Sequence, residues 1–178
     1  MYKLNLNGLK TPVFRAFTAI VLALTVTSYA AKTQAKDLTI GLSAAITSMD
    51  PHYHNLTPNN GLLRHVFDSL IRQDFAQNLV PGLAKSWRAV DATSWEFKLR
   101  RDVRFHDGSP FTSADVAYSL KRAPNVPNSP SSFAPYVKAI TEILTPDPYT
   151  VILKTATPYP LMPNDVATVL IEIGRAHV

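Results

Sequence analysis

The run Trp95–Arg122, WEFKLRRDVRFHDGSPFTSADVAYSLKR, constrains the fold more than any other part of this 178-residue chain. Trp95, Phe97 and Leu99 alternate with Glu96, Lys98 and Arg100, the period-two pattern of a half-buried strand. Asp107-Gly108 is a turn dipeptide, because glycine reaches positive φ at little steric cost. Thr112 followed three residues later by Asp115 predicts a capping box opening a helix. Val116, Ala117 and Leu120 give that helix a buried side. Strand, turn and capped helix agree locally, so the segment is specified structure and not a linker.

Around this run the chain reads as an α/β fold with a mixed sheet. Asp37–Leu42 predicts a first strand, with Leu38, Ile40 and Leu42 on one face. Residues 43–60 are polar and punctuated by proline, hence a loop. Leu62, Leu63, Val66, Phe67, Leu70 and Ile71 keep helical spacing and predict an amphipathic helix from Asn60 to about Gln73. Pro81-Gly82 is expected to begin a short helical turn through Ser86. Trp87–Val90 and Trp95–Leu99 form a hairpin across residues 91–94. Residues 123–130, APNVPNSP, exclude regular structure and are long enough for a functional loop. Tyr136–Leu144 and Tyr149–Lys154 predict a second hairpin around Pro146-Asp147-Pro148, and Leu161–Ile171 predicts a helix. Trp87 and Trp95 are read as core residues rather than a ligand platform, and Arg100, Arg101 and Arg104 as a solvated turn.

The formal charge of +5 belongs to the N-terminal segment. Residues 1–35 hold Lys3, Lys10, Arg15 and Lys32 and no acid; without them 14 of the 18 basic residues face 13 acidic ones. A near-neutral remainder with no basic face gives no argument for nucleic acid. The same 35 residues read as a signal peptide: a basic start, a short apolar stretch Ala16–Val26, and small-x-small cleavage patterns ending at Ala30 or Ala35. Without any cysteine, disulfide scaffolds, thiolate metal sites and a lipid-anchored cysteine are excluded. Export without a lipid anchor implies the periplasm.

Ordered short motifs add a family resemblance. They are Ser48-Met49-Asp50-Pro51-His52, Leu83-Ala84-Lys85-Ser86-Trp87, Phe97-Lys98-Leu99-Arg100, Phe105-His106-Asp107-Gly108 and Asp115-Val116. In this order the chain resembles the extracellular solute-binding proteins of family 5, which serve peptide-type ABC importers. The resemblance implies a periplasmic binding protein-like fold, two-lobed at full length, closing on its solute by a hinge. It implies no enzyme activity and no cofactor, a monomer, and as partners a peptide or small solute and the permease subunits at the inner membrane. It divides the chain into a signal peptide (1–35), a first strand and ligand loop of lobe one (36–60), an extra subdomain (61–155) and a return into lobe one (156–171). The family's ligand loop carries onto His54, Asn55, Leu56 and Thr57, and an aromatic beyond the proline-rich loop onto Phe133. Residues 172–178, EIGRAHV, resemble the translation of a common sequencing adapter, and the chain is expected to be about the first third of a longer protein. On that expectation the isolated piece is non-functional.

Two motifs point to other chemistry. His52 and His54 beside Asp50 would place two imidazoles on one side of an extended segment, a geometry for metal ligands, though no third ligand follows at a recognisable spacing. His106-Asp107 resembles the His-Asp pair of metal phosphohydrolases; next to Gly108 the pair instead suits an Asx-type turn with His106 packed on the strand. Together His52, His54, His106 and Asp107 define an alternative, an exported metal-dependent hydrolase, which requires the four groups to converge. Phosphate-binding loops, nucleophile elbows and zincin motifs are absent.

Overall fold

A computed structural model describes residues 37–174. The signal peptide expected at 1–35 lies outside these residues, as do the last four of the chain. The chain falls into two units, Met1–Gly41 and Leu42–Val178. Of the first, residues 37–41 are irregular and exposed. The strand expected over Asp37–Leu42 is therefore not formed: Leu38 (82% exposed) and Ile40 have no ladder partner among the described residues, and an alternating pattern without a partner strand is not a strand.

The second unit runs α1 (Thr57–Leu63), β1 (Ile71–Gln73), β2 (Leu79–Pro81), β3 (Ala84–Asp91), β4 (Ser94–Leu99), α2 (Ser113–Arg122), α3 (Ala134–Val137), β5 (Ile140–Asp147), β6 (Thr150–Thr155) and α4 (Met162–Val166). The main sheet has the order β3-β4-β6-β5, and β1-β2 form a small second sheet. Both are antiparallel; a parallel pairing is found at the isolated bridge between His54 and Ser131. No described helix is long and apolar enough to cross a membrane.

The run Trp95–Arg122 folds as its residues dictate. Trp95 pairs with Ala89 and Phe97 with Trp87 across the first hairpin, and β4 is covered on its other side by β6. Phe97 and Leu99 enter the core with Phe111, Leu153 and Val151. Both tryptophans are half-buried against that core, and Trp95 Nε1 donates to the Tyr159 carbonyl at 3.1 Å. At the start of α2, Asp115 Oδ2 accepts from the Thr112 amide at 2.8 Å and from the Thr112 hydroxyl at 2.9 Å. Helix α2 packs on β5 and β6 through Val116 and Leu120, with Ser113 and Ser119 buried beside them. The second hairpin forms as well, but Tyr136 belongs to α3 and the strand starts at Ile140.

Three further expectations fail, each because a segment pairs with another part of the chain. The helix expected over residues 60–73 stops at Leu63, and Ile71–Gln73 becomes a strand on Leu79–Pro81. The apolar periodicity continues, but Leu70 and Ile71 are taken into the core by strand pairing and not by a helix face. Pro81-Gly82 starts no helical turn. Leu83 donates to the Ser69 carbonyl at 3.0 Å and Ala84 to that of Leu70 at 2.9 Å, so two backbones run side by side there. Gly82 permits the approach: a Cβ on it would stand 2.5 Å from the Ser69 carbonyl oxygen. Finally, the helix expected over Leu161–Ile171 shortens to α4, because Leu170 bridges to Ser69 and the Ile171 amide donates to Asp68.

Candidate functional site

The loop His54–Thr57 sits between two anchors. On its N-terminal side, Asp50 Oδ1 accepts from the His52 amide at 2.9 Å, closing the Asp50-Pro51 turn. On its C-terminal side, Leu56 is the extended N-cap of α1; its carbonyl accepts from Asn60, and proline occupies the first turn of the helix. Between them the loop is tied to the proline-rich segment. The Asn55 amide donates to the Ser131 carbonyl at 2.9 Å, and the Ser129 hydroxyl donates to the Tyr53 carbonyl at 2.7 Å. His54, Asn55 and Leu56 are half-buried and Thr57 is exposed. Asn60 Nδ2 donates to Asn55 Oδ1 at 2.8 Å, and His54 Nδ1 lies 2.8 Å from the Thr47 hydroxyl. The structure thus places His54, Asn55 and Leu56 on one tethered loop and Thr57 at the first position of α1, with Ser131 bonded to Asn55 and Ser129 to the preceding Tyr53.

Phe133 is placed differently. It is fully buried, meets His52 edge-on at 6.2 Å between ring centroids and packs against Tyr136 at 6.3 Å. It offers no surface to a ligand in this structure and instead supports the loop from beneath His52.

His52 itself is a core residue, with no exposed surface. Its Nε2 lies 2.8 Å from the Leu170 carbonyl oxygen, which can only accept, so Nε2 carries the hydrogen. Its Nδ1 then accepts from Arg122 Nη1 at 3.2 Å. Arg122 also forks onto Asp50, 2.8 Å from Nη1 to Oδ1 and 2.6 Å from Nη2 to Oδ2. The guanidinium holds the Asp50 carboxyl below the usual aspartate range, opposed by partial burial and aided by the His52 amide. Asp50, in turn, is the first cause that raises Arg122. Arg122 Nε reaches Glu172 Oε1 at 3.0 Å.

Asp50, His52 and Glu172 are the three ligand-type side chains that come together among the described residues. The Arg122 guanidinium already supplies the positive charge that a metal would bring to these groups, and both His52 nitrogens are engaged. His106 and Asp107 do not join them. Asp107 Oδ1 accepts from the Ser109 amide at 2.8 Å, the Asx-type turn expected, while His106 is exposed and not packed on the strand. The four-residue convergence needed for a hydrolase is therefore not formed: His52 is buried, His106 and Asp107 occupy the Arg104–Pro110 turn, and His54 pairs with Thr47. A partly apolar cavity of about 180 Å³ is lined by Val66, Phe67, Leu83, Val103, Phe105 and Phe111 among others, and shares no residue with the loop.

The solved structures to which this chain is similar are those of periplasmic binding proteins. The solved structure of OppA from Burkholderia pseudomallei aligns at a TM-score of 0.62 and 30% identity, over 67% of this chain and 26% of that one. This chain belongs to the family described as bacterial extracellular solute-binding proteins, family 5 Middle, whose profile matches residues 78–177. Among curated relatives, the periplasmic oligopeptide-binding protein OppA of Escherichia coli is 37% identical over 93 residues, 52% of this chain and 17% of that protein. The glutathione-binding protein GsiB of Pectobacterium atrosepticum is 31% identical over 134 residues, 75% of this chain and 26% of that protein. The chain thus spans about a quarter or less of the relatives it matches.

Proposed function

We propose that this chain is part of the solute-capturing subunit of an ABC importer, working in the periplasm on short peptides or related small solutes and passing them to a membrane permease. The observation that carries this reading is the clasp of Tyr53 and Asn55, at the start of the His54–Thr57 loop, onto Ser129 and Ser131, in a chain of this family. A loop whose backbone is pinned at both ends is preorganised. Its remaining polar groups can pair with a solute backbone without paying for loop ordering. Residues 36–60 would then supply the ligand loop of the first lobe, 61–155 the extra subdomain and 156–171 the return. The rest of the cleft would come from the second lobe, with capture as a shift between open and closed populations. No covalent step is required.

The test is thermal stabilisation of the full-length protein across a panel of di- to pentapeptides, glutathione and related solutes. A ligand at about 100 times its Kd should add roughly 2.7 kcal/mol of stability. A flat response to every member of the panel would remove the proposal.

A further inference from the structure

The polar side chains behind the loop form a chain of hydrogen bonds that ends on His54. Asn59, fully buried, starts it. Its Oδ1 accepts from the Thr47 amide at 3.2 Å. Its Nδ2 donates to the Thr47 hydroxyl at 2.9 Å and points a second hydrogen at the Ser48 carbonyl at 3.5 Å. The opposite amide orientation would set NH₂ against an N–H and oxygen against a carbonyl, so the orientation is determined by its partners. The Thr47 hydroxyl therefore receives one hydrogen bond and retains one hydrogen to give. Among the described residues its one remaining partner is His54 Nδ1, 2.8 Å away.

We infer that Asn59 and Thr47 are positioning residues that hold His54 with Nδ1 as acceptor and Nε2–H as a donor reserved for the solute. Nε2 has no hydrogen-bond partner among the described residues. The chemistry it selects is an oxygen acceptor, a peptide carbonyl or carboxylate, and it rejects an ammonium at that point. This rests on the proposal that residues 54–57 face the solute. The relay is not legible in the His-x-His motif, because it depends on Thr47 and Asn59 and not on His52.

The first readout needs no ligand. Imidazole ¹⁵N spectra of the full-length protein, assigned by the signal lost in His54→Leu, should show a single tautomer, with Nδ1 bare and Nε2 protonated. Thr47→Val keeps the shape and removes the hydroxyl; it should give an averaged, mixed signal, and Thr47→Ser should restore the single one. Wild-type His54 with the hydrogen on Nδ1, or a mixture unchanged by Thr47→Val, overturns the relay. The second readout is calorimetric binding of tetra-alanine. Loss of one ordered hydrogen bond should weaken it by about three- to tenfold in His54→Leu, and by a smaller factor in Thr47→Val. Wild-type affinity in both variants overturns the assignment to the solute. Failure of wild type to bind any di- to penta-alanine overturns the solute assignment, and a flat response to the whole panel above overturns the site reading with it. The ligand-free spectra separate that failure from failure of the relay.

Discussion

Arg122 and Asp50 stand 72 residues apart and meet through a two-point fork, Nη1 on Oδ1 and Nη2 on Oδ2. Both are about three-quarters buried, and the same guanidinium donates to His52. The end of α2 is thereby fastened to the turn that precedes the loop. Replacing Arg122 with Met leaves this largely buried carboxylate without its cation and removes the donor to His52 Nδ1. The expected loss is about 1.5–3 kcal/mol, the usual range for hydrogen bonds to charged groups, read from urea unfolding. Asp50→Asn keeps the acceptor for the His52 amide and should cost less. Equal stability of wild type and Arg122→Met would show the fork to be idle.

The same fork predicts a response to acid. Asp50 has a folded pKa below its unfolded value, chiefly through the Arg122 hydrogen bonds. Its contribution is therefore full above the unfolded aspartate value of about 4, and is lost as pH falls through the lower folded value. Melting temperatures of wild type and Asp50→Asn should differ most at pH 6 and converge toward pH 3. A gap that stays constant over this range contradicts the assignment.

Gly82 and Gly61 should respond to alanine in opposite directions. A Cβ on Gly82 meets the carbonyl oxygens of Ser69 at 2.5 Å and Leu70 at 3.0 Å, both backbone. Gly82→Ala is expected to cost about 1–3 kcal/mol, as overpacking does. Gly61 lies within α1 with nothing within 4 Å of its Cβ position, so Gly61→Ala should gain about 0.5–1 kcal/mol. Denaturant midpoints of the two variants on opposite sides of wild type are the expected outcome.

Asp115 is almost fully buried at the first turn of α2, with one oxygen serving both the Thr112 amide and hydroxyl. Asp115→Ala should cost about 1 kcal/mol, a typical capping loss, and speed amide exchange in the first turn of α2 before that of β4. Unchanged exchange at Thr112–Val116 would argue that the cap contributes nothing.

Much of the fold was legible because its signals are local. The alternation Trp95–Leu99, the Thr112–Asp115 spacing and the turn at Pro146-Asp147-Pro148 each specify an element from a few neighbours. Residues 62–71 depart from their expected helix for the opposite reason. Their helical spacing is genuine, but Ile71 pairs with Pro81 and Ser69 with Leu170, and these partners override it. The site divides the same way. The proline-punctuated segment 43–60 marks the loop in the sequence, whereas the helix start at Thr57, the burial of Phe133 and the role of Ser131 lie outside that reading. His52 is the sharpest case. As half of a His-x-His pair it suggests a ligand, yet its hydrogen goes to a carbonyl 118 residues downstream.

That last bond has a consequence for biosynthesis. Ribosomes deliver Asp50 and His52 early, Arg122 and Ser131 much later, and Leu170 later still. Until Leu170 emerges, the imidazole lacks its acceptor and the turn ahead of His54 lacks its floor. The stretch made nearly first is thus among the last to acquire its shape, because closing so long a span must await the far end. A chain delivered only as far as residue 169 would lack the acceptor that fixes His52, and with it part of the support for the turn ahead of His54.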